Sequence, residues 1–181
     1  IYVNQIGGQD ELVFDGGSFI LNADRRLRAR CPDWTESVMA TQWHRENYGW
    51  SCAEADCVEP GPSLASIYSA MVLGLRDSVG QNRFPGVLIG LSGGIDSALT
   101  AAVAIDALGP DAVHCVMMPS PYTSIESLED AAAAAKALGC RLDEINIGPA
   151  MGAFDTMMQP AFENLPLDAT EENIQARSRG I

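Results

Sequence analysis

Between Gly86 and Ser97 the chain reads Gly-Val-Leu-Ile-Gly-Leu-Ser-Gly-Gly-Ile-Asp-Ser, and no other stretch restricts the fold as tightly. Val87, Leu88, Ile89 and Leu91 make an apolar run closed on both sides by glycine, the pattern of a buried parallel strand. Gly93 and Gly94 supply backbone angles that other residues resist, and they leave no Cβ between the main chain and a ligand. Asp96 and Ser97 stand where an alanine-rich helix, 98–108, begins. Unpaired amides and the positive end of the helix dipole therefore point into the turn. A pyrophosphate-sized anion suits that geometry. Asp96 would repel phosphate by itself, so its presence argues for a magnesium ion held between the two.

The rest of the chain supplies the frame for this turn. Glu59-Pro-Gly-Pro62 punctuates two unlike halves, which predicts domains over 1–58 and 59–181. In the first, Tyr2 to Ile6 and Leu12 to Leu21 alternate around Gly7-Gly8 and Gly16-Gly17, as short strands with turns do. In the second, Ser63 can cap a helix whose core face carries Leu64, Ile67, Tyr68, Met71, Leu75 and Val79. After the glycine turn come helix 98–108, strand 112–117, helix 126–138, strand 141–147 and two further helical stretches. That alternation predicts an α/β fold with a doubly wound parallel sheet. Ligands bind beyond the carboxyl ends of such strands, so the turn and the segment Met117 to Ser124 should share one pocket. Met117 and Met118 can line an adenine slot there, or simply be core. Ser124, Ser127 and Asp130 read as the start and cap of the next helix.

With 24 acidic against 11 basic side chains the net charge is −13, which argues against nucleic acid as a partner. Arg25, Arg26, Arg28 and Arg30 form one basic cluster, read as a solvated hairpin edge or an inter-domain contact. No apolar run approaches the length of a bilayer helix, and the first residues lack a secretion signal, so a cytoplasmic protein with no membrane partner is expected. Five cysteines in no framework spacing are expected to be free thiols. His44, Cys52 and Cys57 match no standard zinc spacing, and His114 reads as a satisfied strand histidine. Trp34, Trp43, Tyr48 and Trp50 read as inter-domain packing. In the last segment, Asn173 and Arg177 lie four apart on one helical face, either as ligand contacts or as a solvated surface.

Ser92-Gly-Gly-Ile-Asp-Ser97 resembles the S-G-G-x-D-S loop of the ATP-pyrophosphatase superfamily, the adenine-nucleotide alpha-hydrolase type of sheet. Glu172-Asn-Ile-Gln-Ala-Arg-Ser-Arg-Gly180 is similar to the E-N-x-Q-A-R-x-R-G segment of NAD synthetases. Leu73 to Asp77 and Met118 to Ser124 also look like that family. Ile1 to Ser18 resembles the end of the nitrilase-like glutaminase domain fused to glutamine-dependent NAD synthetases. The resemblance implies ATP-dependent amidation of nicotinic acid adenine dinucleotide through an adenylate, with ammonia from glutamine. It implies that Gly90, Leu91, Ser92, Gly93, Gly94, Ile95, Asp96 and Ser97 cradle ATP and that Asp96 ligates Mg2+. Asn173 and Arg177 would contact the dinucleotide, and no side chain here would be a covalent catalyst. A homo-oligomer is expected. The glutaminase Cys-Glu-Lys set and the later synthetase ligands do not occur in this sequence, which reads as an internal fragment of a longer enzyme.

Overall fold

A computed structural model of the chain describes residues 1–47, 49–162 and 169–180, and it divides into two compact units, Ile1–Phe84 and Pro85–Ile181. In the first unit β1 (Ile6–Gln9) pairs with β2 (Leu12–Asp15), β3 (Phe19–Leu21) with β4 (Leu27–Arg30), and β5 (Trp43–Glu46) with β6 (Gly49–Cys52), all antiparallel. Helix α1 spans Ser63–Gln81. Its inclusion here puts the division by contacts about one helix later than the punctuation at Glu59-Pro-Gly-Pro62.

Gly7 and Gly8 lie inside β1 and not in a turn; the reversal falls at Asp10, whose φ is 51°. The helix explains them. A Cβ on Gly8 would stand 3.2 Å from Asp77 Cβ and 3.3 Å from Gly74 Cα, so strand and helix meet almost backbone to backbone. The Gly8 amide donates to Asp77 Oδ2 at 2.6 Å, and Gln81 Nε2 donates to the Gly8 carbonyl at 2.9 Å. The face that α1 turns to the hairpin is thus small and polar. The apolar series expected to be core is instead exposed at Leu64 (79%), Ile67 and Met71, and Val79 is its buried member. Pro62 takes the N-cap position in place of Ser63, with no side-chain cap bond.

Asp77→Ala is expected to cost about 1–3 kcal/mol, the value of a part-buried amide left without its charged acceptor. Urea denaturation measures the cost, and hydrogen exchange at the Gly8 amide should quicken; an unchanged amide would show that the link carries nothing.

The small core of this unit is Ile20, Ala29 and Cys52, with Met39, Trp43 and Ala55 against it. Trp43 therefore packs within its own unit, Trp50 is exposed, and Tyr48 lies outside the described residues. The basic cluster is a hairpin edge: Arg28 pairs with Asp24 at 3.1 Å, while Arg30 pairs with Asp33 at 2.6 Å and donates to the Val58 carbonyl.

The second unit holds a parallel sheet ordered β7 (Val87–Gly90), β8 (Val113–Met117), β9 (Arg141–Glu144), with Ile89, Cys115 and Leu142 in register. Helices α2 (Ile95–Leu108) and α3 (Ile125–Leu138) are the crossovers, and α4 (Gly148–Phe162) and α5 (Ala169–Ser178) follow. The expected parallel α/β sheet is present. Because the strand order runs in one direction and crossovers are right-handed, α2 and α3 share one face of it. On the other face Leu88 is 71% exposed, so among the described residues the strand read as buried is covered on one side only. There His114 Nε2 meets Asp143 Oδ2 at 2.8 Å, as a satisfied strand histidine should. The Arg141 guanidinium, and then His114, hold the Asp143 carboxyl below the usual range.

All five cysteines are free thiols. Cys115 is fully buried, and burial beside Cys140 pushes its thiol up to about 11. Timed alkylation of the native protein should label exposed Cys57 first and Cys115 last, because reaction needs an accessible thiolate. Early labelling of Cys115 would contradict this packing.

Candidate nucleotide site

The chain leaves β7 through Leu91, which is buried, and turns at Ser92-Gly93-Gly94 into α2. Gly93 has φ +84°, and a Cβ there would lie 2.2 Å from the Ser127 carbonyl oxygen on α3. Glycine is obligatory at this position. The two serines close the turn on itself: Ser97 Oγ donates to the Gly94 carbonyl at 2.9 Å and accepts from the Ser92 amide at 3.2 Å. Ser92 Oγ, 3.1 Å from Ser97 Oγ, accepts from the Gly94 amide at 3.3 Å. No side chain caps α2, so its first-turn amides remain available to an anion, with Asp96 exposed among them.

Beside the turn lies a cavity of about 150 Å³ walled by Gly90, Leu91 and Ser92, by Met117 at the end of β8 with Met118 and Pro119 after it, and by the start of α3. Pockets for whole drug-sized ligands run to roughly 300–1,000 Å³. This one can take a single ring system, with charged groups outside it at the α2 terminus. The turn and the Met117 segment do share one pocket, as the order of strands required. Ser124 caps α3 by accepting from the Ser127 amide at 3.1 Å.

Just past the end of α5 the chain reaches the same cavity. Asn173 and Arg177 are exposed and do not line it. Arg179 lines it, and its Nε donates to the Met118 carbonyl at 3.3 Å, while Gln175 Nε2 donates to Ser120 Oγ at 2.6 Å. Gln175 and Arg179 are also four apart, so spacing alone could have found them; it could not choose between the two helical faces. Among the described residues no three His, Cys, Asp or Glu side chains converge as a metal cluster.

Residues 67–181 match the family model described as NAD synthase. The chain belongs to the NAD synthase family. It is 45% identical over its whole length to the glutamine-dependent NAD(+) synthetase of Rhodobacter capsulatus, of which it covers 33%. Among solved structures it is similar to the glutamine-dependent NAD+ synthetase of Acinetobacter baumannii in complex with ADP, with 43% identity, a TM-score of 0.91, and 99% of this chain against 34% of that one. The NMN synthetase of Francisella tularensis matches 66% of this chain and 48% of its own at 30% identity, with a TM-score of 0.58. The chain thus spans about a third of the length of its curated NAD synthase relatives. No described helix is long and apolar enough to cross a membrane.

Proposed function

We propose that this chain is the nucleotide-binding part of a glutamine-dependent NAD synthetase, which amidates nicotinic acid adenine dinucleotide at the expense of ATP. The observation that carries the reading is the uncapped α2 terminus beside a cavity of single-ring size. The likeness to an ADP-bound relative supports it. Gly90 to Ser97 hold ATP, with the adenine ring against Met117 and Met118 and the phosphates on the first-turn amides of α2. Fixed amide dipoles are worth most where charge develops on the departing pyrophosphate. The acceptor carboxylate attacks the α-phosphorus, pyrophosphate leaves, and ammonia displaces AMP from the adenylate.

Asp96 fits a magnesium ion. Such an ion commonly takes one or two carboxylates and completes its shell with phosphate oxygens and water, so a single exposed carboxylate beside the phosphate site suffices. Bound there, it would neutralise the phosphate charge. Asn173 and Arg177 face solvent and contact the dinucleotide. Residues 1–58 are the end of a nitrilase-like glutaminase domain, and 59–181 open a doubly wound synthetase domain of the ATP-pyrophosphatase type. The family model begins within α1, which supports that division over the one by contacts. The whole enzyme is a cytoplasmic homo-oligomer fed by glutamine or free ammonia.

The test is pyrophosphate release by the full-length protein with ATP, Mg2+ and ammonia, offering either nicotinic acid adenine dinucleotide or nicotinic acid mononucleotide as acceptor. Release with the dinucleotide is expected. Release with the mononucleotide alone would move the chain to the chemistry named for its Francisella neighbour, and release with neither would sink the assignment.

A further inference from the structure

The turn that follows β8 is held from two sides. On one, the Ile145 and Ile147 amides donate to the Met117 and Pro119 carbonyls at 2.8 and 3.0 Å, which fixes the backbone as an extension of the sheet. On the other stands α5. Ser120 is nearly buried, and its Oγ accepts from Gln175 Nε2 at 2.6 Å and from the Tyr122 amide at 3.2 Å. With two donors aimed at it, the Ser120 hydroxyl proton goes to Thr123 Oγ1, 3.3 Å away. Thr123 Oγ1 also accepts from the Ser120 amide at 2.9 Å, and Thr123 lines the cavity together with Met118 and Pro119. One amide on α5 therefore sets the direction of a chain of hydroxyl bonds that ends on the cavity wall.

We infer that Gln175 is a positioning residue for the nucleotide: by donating to Ser120 it holds the Met118–Thr123 wall at the spacing the adenine ring requires. This rests on the proposed ATP site. Gln175 touches the wall and not the ligand. Its role is thus separable from those of Asn173 and Arg177, which lie on another face of the same helix. Nucleotide affinity depends on the seating of α5, although α5 contributes no phosphate ligand through this residue.

The experiment uses the full-length protein and three variants, Gln175→Met, Ser120→Ala and the double variant, with calorimetric binding of ATP-Mg2+ and steady-state KM and kcat for both substrates. Each single variant is expected to weaken ATP binding and raise its KM roughly fivefold, the worth of one hydrogen bond, with kcat and the dinucleotide KM nearly unchanged. The double variant should be no weaker than Ser120→Ala, which already removes the bond that Gln175→Met removes. Gln175→Asn, which keeps the donor but is one methylene shorter, should recover part of the affinity. Loss of ATP affinity in Gln175→Met with none in Ser120→Ala would mean that Gln175 contacts ligand directly and would overturn the inference. So would equal losses for both substrates that track a lowered melting temperature. A wild-type protein that binds no ATP would overturn the functional reading itself, whereas wild-type binding left intact in every variant would overturn only the role of Gln175.

Discussion

Asp96→Asn is expected to lower kcat/KM for ATP-dependent pyrophosphate release by about 10²–10³-fold in the full-length protein, with the fold intact. The carboxylate sits exposed in the first turn of α2, and the backbone carbonyl of the same residue accepts from Thr100 Oγ1 at 2.8 Å. Replacing it removes one negative charge from a helix N-terminus, a stability cost of about 0.3–1 kcal/mol. Against that small structural term stands the loss of a hard anionic oxygen for the proposed magnesium ion, in a proposed reaction whose barrier is governed by charge on the leaving pyrophosphate. The two effects differ enough to be told apart. A variant whose ATP binding no longer depends on Mg2+, but whose unfolding midpoint is unchanged, is the expected signature. Full activity in Asp96→Asn would remove the metal role.

The second large effect is expected at Gly93. Gly93→Ala introduces a Cβ 2.2 Å from the Ser127 carbonyl oxygen and 2.8 Å from its Cα, at φ +84°. The backbone strain alone is worth about 1–3 kcal/mol. The clash is with main chain, so relief means moving α3 away from the turn. A displacement of that kind at a phosphate site commonly costs about 10²-fold in rate. Pyrophosphate release should therefore collapse, and urea denaturation should show the loss of stability that Asp96→Asn lacks. Gly109, where an added Cβ meets nothing although φ is +85°, is the control: Gly109→Ala should carry the strain without the loss of activity.

The strand, turn and helix around Gly93 were legible because their determinants are local. An apolar run, two glycines and a carboxylate lie within a dozen positions, and the one distant demand, the approach of Ser127 to Gly93, falls on a glycine already read as part of the turn. What escaped depends on partners. Gly7-Gly8 reads as a turn, but its glycines are there because α1 crosses the strand at Gly74 and Asp77. The apolar series of α1 reads as its packing face, whereas Gly74, Asp77 and Gln81 meet the hairpin. Leu88 reads as buried from its neighbours, but its burial depends on what covers the second face of the sheet. In α5 the same nine-residue motif offers 173 with 177 and 175 with 179. Periodicity cannot decide which pair meets the loop after β8 until that loop is in place.

The central claim is that the α2 terminus presents the α-phosphorus of ATP to a substrate carboxylate. Its most direct test follows the oxygen. With nicotinic acid adenine dinucleotide labelled with 18O in the carboxylate, turnover by the full-length protein should deliver one labelled oxygen to AMP, because the bond formed to the α-phosphorus survives when ammonia displaces the nucleotide. Label in inorganic phosphate, with ADP as the other product, would place the attack at the terminal phosphorus and contradict the account, as would AMP carrying no label.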